Sequence, residues 1–154
     1  MIDTPVILQT KKQLAAVVHL TIPREQISEV MGPGYEEIMN TLRAQGIAPA
    51  GPWFTHHLRF EPGIFDFEIG VPVNRPVTPA GRVVPGELPA TMVARTVYHG
   101  GYDGLANAWP ELDRWIASQG KSPDPSLWET YLTGPATNPD PTAWRTELTR
   151  PLAG

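Results

Sequence analysis

The chain has 154 residues, Lys+Arg 12 against Asp+Glu 16, a formal net charge of −4 and no cysteine. That length suits one domain or two small fused units. The charge leaves no basic surplus for a phosphate backbone, so direct nucleic-acid binding is not expected, and the absence of cysteine excludes disulfides, thiolate nucleophiles and Cys-ligated metals.

No apolar run is long enough for a membrane span, and the start MIDTPVILQTKK lacks the apolar stretch of a signal peptide, so a cytoplasmic location without membrane attachment is expected. The 18 prolines and 14 glycines point to short elements with sharp turns, while 5 Trp, 4 Tyr and 4 Phe argue against disorder.

Val6 to Gln9 reads as a short strand and Leu14 to Ile22, apolar and β-branched, as a largely buried one. Pro23 suits a first helical turn, so Arg24 to Met31 is expected to form one or two turns that break at Gly32-Pro33-Gly34. A second helix follows, because Tyr35, Ile38, Met39 and Leu42 stand at i, i+3, i+4 and i+7, with Gly46 as its stop.

Trp53 to Phe60 and Ile64 to Val71 read as strands joined by the turn Glu61-Pro62-Gly63. In the second of them Phe65, Phe67 and Ile69 share one face and Asp66 and Glu68 the other. Asn74 to Pro89 shows no periodicity and reads as a linker, apart from a short strand at Arg82-Val83-Val84.

Ala90 to His99 is strand-like, with Met92, Ala94, Thr96 and Tyr98 on one face. After Gly100-Gly101, Tyr102, Leu105, Trp109, Leu112 and Ile116 form a helical stripe that Pro110 should bend or interrupt and Gly120 ends. Leu127 to Leu132 and Trp144 to Leu148 read as the last strands.

The two halves match each other in order. Gly34-Tyr35 recurs as Gly101-Tyr102, and Gln45-Gly46 as Gln119-Gly120. Phe54, His57 and Leu58 recur as Trp128, Tyr131 and Leu132, and Glu68-Ile69 as Glu147-Leu148. The reading is one α+β domain over 1–154, made of tandem strand–helix–strand–strand repeats with pseudo-two-fold symmetry around a central ligand cleft. Repeat one covers about 1–74, the linker about 75–89 and repeat two about 90–154.

Five segments carry a resemblance. They are Gly51-Pro52, Phe67 to Val73, His99 to Leu105, Trp128 to Leu132, and Arg145 to Leu148 with Pro151-Leu152. Together they resemble the GyrI-like small-molecule-binding family, which also supplies the effector-binding domains of AraC-type and multidrug-sensing MerR-type regulators.

The resemblance implies an aromatic cleft and a glutamate in the second repeat that meets flat, apolar cations. That position is Glu129. His57 stands where a tyrosine is common in the first repeat, and Trp53 where smaller residues are common, so the ligand set is expected to differ.

On a strand Glu129 and Tyr131 share a face. A carboxylate beside a phenol can neutralise a bound cation, or serve as a general base if burial raises its pKa; the alternative is a solvent-facing strand glutamate. Trp109, Phe54, His57, Tyr98 and Tyr102 are candidate ligand contacts, each of which can equally be core packing. His56-His57 point apart on a strand, and His19 and His99 lack ligand spacing, so no metal is expected. No phosphate or dinucleotide fingerprint implies a cofactor.

Three readings follow. The leading one is a stand-alone bacterial binding module that senses or sequesters hydrophobic, cationic aromatic compounds, multidrug binding included, and regulates transcription only through a separate DNA-binding regulator. The second is a hydrolase of strained cyclopropanoid toxins with Glu129 and Tyr131 as catalytic residues, and the third a DNA gyrase inhibitor.

Overall fold

The computed structural model describes residues 1–135 and 137–153, with the side chains of 60 and 61 left out. The elements in chain order are β1 (Val6–Gln9), β2 (Gln13–Pro23), α1 (Ile27–Gln45), β3 (Phe54–Glu61), β4 (Ile64–Pro72), β5 (Val84–Leu88), β6 (Met92–His99), α2 (Leu105–Ser118), β7 (Leu127–Thr133) and β8 (Arg145–Pro151). Single 3-10 turns precede α1, α2 and β8. Two compact units form: a first unit from Lys11–Ala90, and a second from Met1–Thr10 together with the chain from Thr91 onward.

In the first unit the strands pair antiparallel in the order β5-β2-β4-β3. The alternation along β2 and β4 sends Ala16, Val18, Phe67, Ile69 and Val71 to one face, where they meet Ile38 and Leu42 of α1. Burying each large side chain in that layer contributes roughly 1.5–3 kcal/mol. Ala15, Val17 and Phe54 point to the opposite face.

The break expected at Gly32-Pro33-Gly34 does not occur; α1 runs through Pro33 without interruption. Ile27, Val30 and Met31 before the proline pack on the same core as Tyr35 and Met39 after it. One continuous apolar stripe therefore outweighs the lost hydrogen bond. Gly34 permits the close approach, since a β-carbon there would stand 2.5 Å from Ile69 Cδ1.

The second unit repeats this plan in the order β1-β6-β8-β7, again antiparallel. Ala94, Tyr98 and Leu148 pack under Ala108, Leu112 and Ile116 of α2, which continues through Pro110 without a break. The architecture is α+β, with β2-α1-β3-β4 and β6-α2-β7-β8 as tandem strand–helix–strand–strand repeats.

Each unit gains an outer strand that the sequence reading placed elsewhere. Val6–Gln9, expected to begin repeat one, pairs with β6 of the second unit. The stretch read as linker carries β5, which pairs with β2. Both units also bulge at the same point, between His57 and Arg59 and between Tyr131 and Thr133, turning Leu58 and Leu132 outward.

Candidate functional site

The site grows from the helix-covered face of the strands of the second unit. Glu129 is in register with Leu148, and Leu148 with Thr96; Tyr131 is in register with Thr146, and Thr146 with Tyr98. Glu129 and Tyr131 therefore look toward α2, as their spacing requires. On α2, Ala108, Leu112 and Ile116 point straight down onto the sheet. Trp109 stands one position to the side, about 100° round the helix, over β7.

The three side chains meet. Trp109 Nε1 donates to Glu129 Oε2 at 2.7 Å, and the Tyr131 hydroxyl donates to Glu129 Oε1 at 2.9 Å. Each carboxyl oxygen thus accepts one bond from a neutral donor, and the ion pairs of the described residues do not include Glu129. Burial of the carboxyl pushes its pKa above the ordinary range, against the pull of the Trp109 and Tyr131 hydrogen bonds. Glu129 as a whole residue keeps some solvent exposure, so the carboxyl is crowded but not sealed.

Two further rings complete the cluster. Tyr102 meets Tyr131 edge-on at 5.8 Å and Trp144 in a tilted arrangement at 4.9 Å. Tyr102 is half-exposed, and its phenol pKa is raised first by burial and then by the charge of Glu129. Trp144 is anchored by its indole N–H to Asn138 O at 2.7 Å.

The structure brings together Trp109, Tyr102, Glu129 and Tyr131 of the sequence candidates. Tyr98 belongs to the core of the same unit: it is buried, and its hydroxyl donates to Gly101 O at 2.9 Å. A β-carbon at Gly104 would stand 1.9 Å from that hydroxyl, so the glycine lets the phenol pass beneath the start of α2.

Phe54 and His57 belong to the first unit. Phe54 lies buried on the face away from α1, its ring so close to Gly70 that a β-carbon there would come within 2.3 Å. His57 stacks on Phe67 at 5.2 Å and meets Phe65 edge-on at 5.1 Å. Burial, helped by neighbouring His56, lowers its pKa to about 4, so it is a neutral packing group at physiological pH.

Sequence reasoning missed Trp144, which it treated as the start of a strand; nothing in the local pattern linked it to Tyr102. It also missed the polar row on the first unit, where His19 Nε2 and Arg59 Nε reach Asp66 at 2.5 and 2.8 Å. Those partners hold the Asp66 carboxyl below the usual range, the His19 hydrogen bond foremost. A shallow hollow of about 260 Å³ opens elsewhere in the second unit, lined by Ile2, Asp3, Thr4, Pro5, Glu111 and Trp115. Among the described residues no group of three or more His, Cys, Asp or Glu side chains is placed to hold a metal ion. No helix among them is long and apolar enough to cross a membrane.

Comparison with known proteins gives a family and a fold. The family described as GyrI-like small molecule binding domain matches residues 4–153. No curated protein matches the chain.

Among solved structures, the C-terminal domain of EcmrR is similar at TM-score 0.85 and 21% identity, covering 97% of each chain. In the EcmrR–DNA complex the match has TM-score 0.84, but this chain spans only 57% of that longer one. SAV2435, solved with tetraphenylphosphonium, has TM-score 0.71 and 13% identity, covering 99% of this chain and 95% of its own. A hydrolase from Listeria innocua has TM-score 0.68 and 11% identity, covering 97% and 91%. At these identities the likeness establishes the fold.

Proposed function

We propose, for a chain that belongs to the GyrI-like small molecule binding domain family, that the second unit binds hydrophobic aromatic cations with Glu129 as their counter-charge. One observation carries the reading: a crowded carboxyl held at both oxygens by neutral donors, Trp109 and Tyr131, and bordered by the rings of Tyr102 and Trp144. A cation entering there meets an uncompensated carboxylate, and aromatic faces add to its attraction. Delocalised, weakly hydrated cations suit such a site best, because little hydration is lost on entry. Contacts made by rings rather than by a dense polar network tolerate several ligand shapes, which supports multidrug binding. The structural neighbour solved with tetraphenylphosphonium supports the same class.

In this reading the protein works in the cytoplasm and senses or sequesters its ligand. An effect on transcription would pass through a separate DNA-binding regulator. The likeness to the C-terminal domain of EcmrR, a protein solved in complex with DNA, supports that role.

Titration with tetraphenylphosphonium and with a planar cationic dye tests the proposal. Binding is expected to weaken by at least about tenfold, ~1.4 kcal/mol, in Glu129→Gln. Absence of binding by every cation tried, or equal binding by the variant, overturns it.

A second reading rests on the 2.9 Å contact between Tyr131 and Glu129. A carboxylate of raised pKa can take a proton from water while the phenol turns its O–H onto a ligand carbonyl. That pair would serve hydrolysis of strained cyclopropanoid compounds, and the hydrolase neighbour supports looking for it. Product analysis decides it: turnover should vanish in the double variant Glu129→Gln, Tyr131→Phe, and turnover that survives there rules the reading out.

A further inference from the structure

One polar group on the helix-covered face of the second unit lacks a partner. Thr146 of β8 is fully buried, and its Oγ1 has no hydrogen-bond partner among the described residues. Thr96 and Thr149, buried in the same unit, are satisfied: Thr96 Oγ1 donates to Asp3 O at 2.7 Å, and Thr149 Oγ1 accepts from Arg95 Nε at 3.1 Å. A buried hydroxyl left unpaired lowers stability, because it gives up water and gains nothing in return. A valine of nearly the same shape would carry no such cost.

Register places that hydroxyl at the edge of the Glu129 cluster. Thr146 is flanked on the sheet by Tyr98 of β6 and Tyr131 of β7, and the β-carbons of such directly paired residues stand about 4.5–5.5 Å apart. Both phenols send their protons elsewhere, Tyr131 to Glu129 Oε1 and Tyr98 to Gly101 O. Trp144 is extended backbone leading into β8, so Trp144 and Thr146, alternate residues of one strand direction, share a face. Tyr102 meets Tyr131 at 5.8 Å and Trp144 at 4.9 Å, so its ring spans the position of Thr146. Tyr102 is also half-exposed, and a change of its rotamer toward solvent opens the slot above Thr146 with the backbone in place.

We propose that Thr146 is a specificity-determining residue of the ligand site, its hydroxyl donating a hydrogen bond to an in-plane acceptor atom of a flat aromatic cation that takes the place of the Tyr102 ring between Tyr131 and Trp144. This role presupposes that the unit binds aromatic cations through Glu129. A ring in that slot keeps the aromatic contacts that Tyr102 makes and turns one edge down onto the sheet, where the lone pair of a ring nitrogen or a carbonyl oxygen meets the hydroxyl. Its charge comes to lie beside Glu129, whose Oε1 is bound to the neighbouring Tyr131. The favoured class is therefore a heteroaromatic cation with a neutral acceptor atom, over one of the same size with C–H edges only. A buried polar group that only one of two ligands satisfies discriminates between them more sharply than apolar contact does.

N-methylphenazinium and N-methylacridinium supply the test, because they share one shape and differ by a ring nitrogen in place of a C–H. Calorimetric titration of each into the full chain is expected to show about fivefold tighter binding of N-methylphenazinium. Thr146→Val should abolish the preference by weakening N-methylphenazinium alone, and should melt no lower than the parent. Thr146→Ser, which keeps the hydroxyl, should retain the preference. Equal binding of the two cations by the parent, a preference that survives in Thr146→Val, or a lower melting temperature in that variant overturns the role of Thr146 and leaves cation binding at Glu129 standing. Failure of both cations to bind the parent overturns the two together.

Discussion

The two units share one plan, down to a bulge at the same point, yet among the described residues only the second sets a carboxylate on the sheet face beneath its helix. Counted back from the left-handed glycines Gly46 and Gly120 that follow the two helices, the residues equivalent to Trp109, Glu129 and Tyr131 in the first unit are Tyr35, Thr55 and His57. Thr55 is 0% exposed, and Tyr35 of α1 packs on the core of that unit and against Trp53 at 4.8 Å. The first unit thus fills with uncharged packed side chains the position where the second keeps a carboxylate and two hydrogen-bond donors. A helix on a sheet has one buried face to use, and duplication allows one copy to keep it for stability while the other spends part of it on a ligand.

The largest test of that contrast is to transplant the charge. Thr55→Glu places a carboxylate at a position that is fully buried in the parent chain. It should cost about 3–5 kcal/mol in urea denaturation. A cost near zero would mean that the first unit can hold a charge as the second does.

Next in size is the pH dependence of His57. Its folded pKa of about 4 lies below the ordinary value, so the unfolded chain binds the proton more readily. Stability is therefore fully present above the ordinary histidine range and is lost as pH falls toward 4, by about 3 kcal/mol in all. The carboxyls of Asp66 and Glu37 are held below their usual range and add their losses only in stronger acid. The arm between the histidine and carboxylate ranges should flatten in His57→Phe when melting temperature is followed against pH.

The smallest effect has the opposite sign and sits in the second unit. The Glu129 carboxyl is pushed upward, so the folded chain binds its proton more tightly than the unfolded chain does. Stability then falls as pH rises from the ordinary carboxylate range through the raised value. Glu129→Gln is expected to melt higher than the parent at neutral pH and to lose that advantage in acid. A variant that melts lower at pH 7 would make Glu129 a structural residue rather than one kept at a cost to stability.

Much of this was legible in the chain itself. Period-two alternation in Phe65 to Ile69 and helical spacing from Tyr35 to Leu42 report burial directly, because side-chain direction follows backbone period. The same rule put Glu129 and Tyr131 on one face. It could not bring Trp109 to them, since an indole twenty residues away in sequence arrives only when α2 lies across β7. Trp144 was invisible for the same reason, its partner Tyr102 being more than forty residues earlier.

What the sequence determined alone was local: the repeats, the element types, the exclusion of thiol chemistry, and the pairing of a carboxylate with a phenol. Tertiary packing decided the rest. It kept α1 whole across Pro33, because side chains on both sides of the proline share one core. It sent Val6–Gln9 to β6 and made a strand of Val84–Leu88, because edge strands take their partners from distant segments whose hydrogen-bonding groups no local pattern reveals. It also set the state of Glu129, since a pKa depends on which groups surround a side chain in space rather than on its neighbours in the chain.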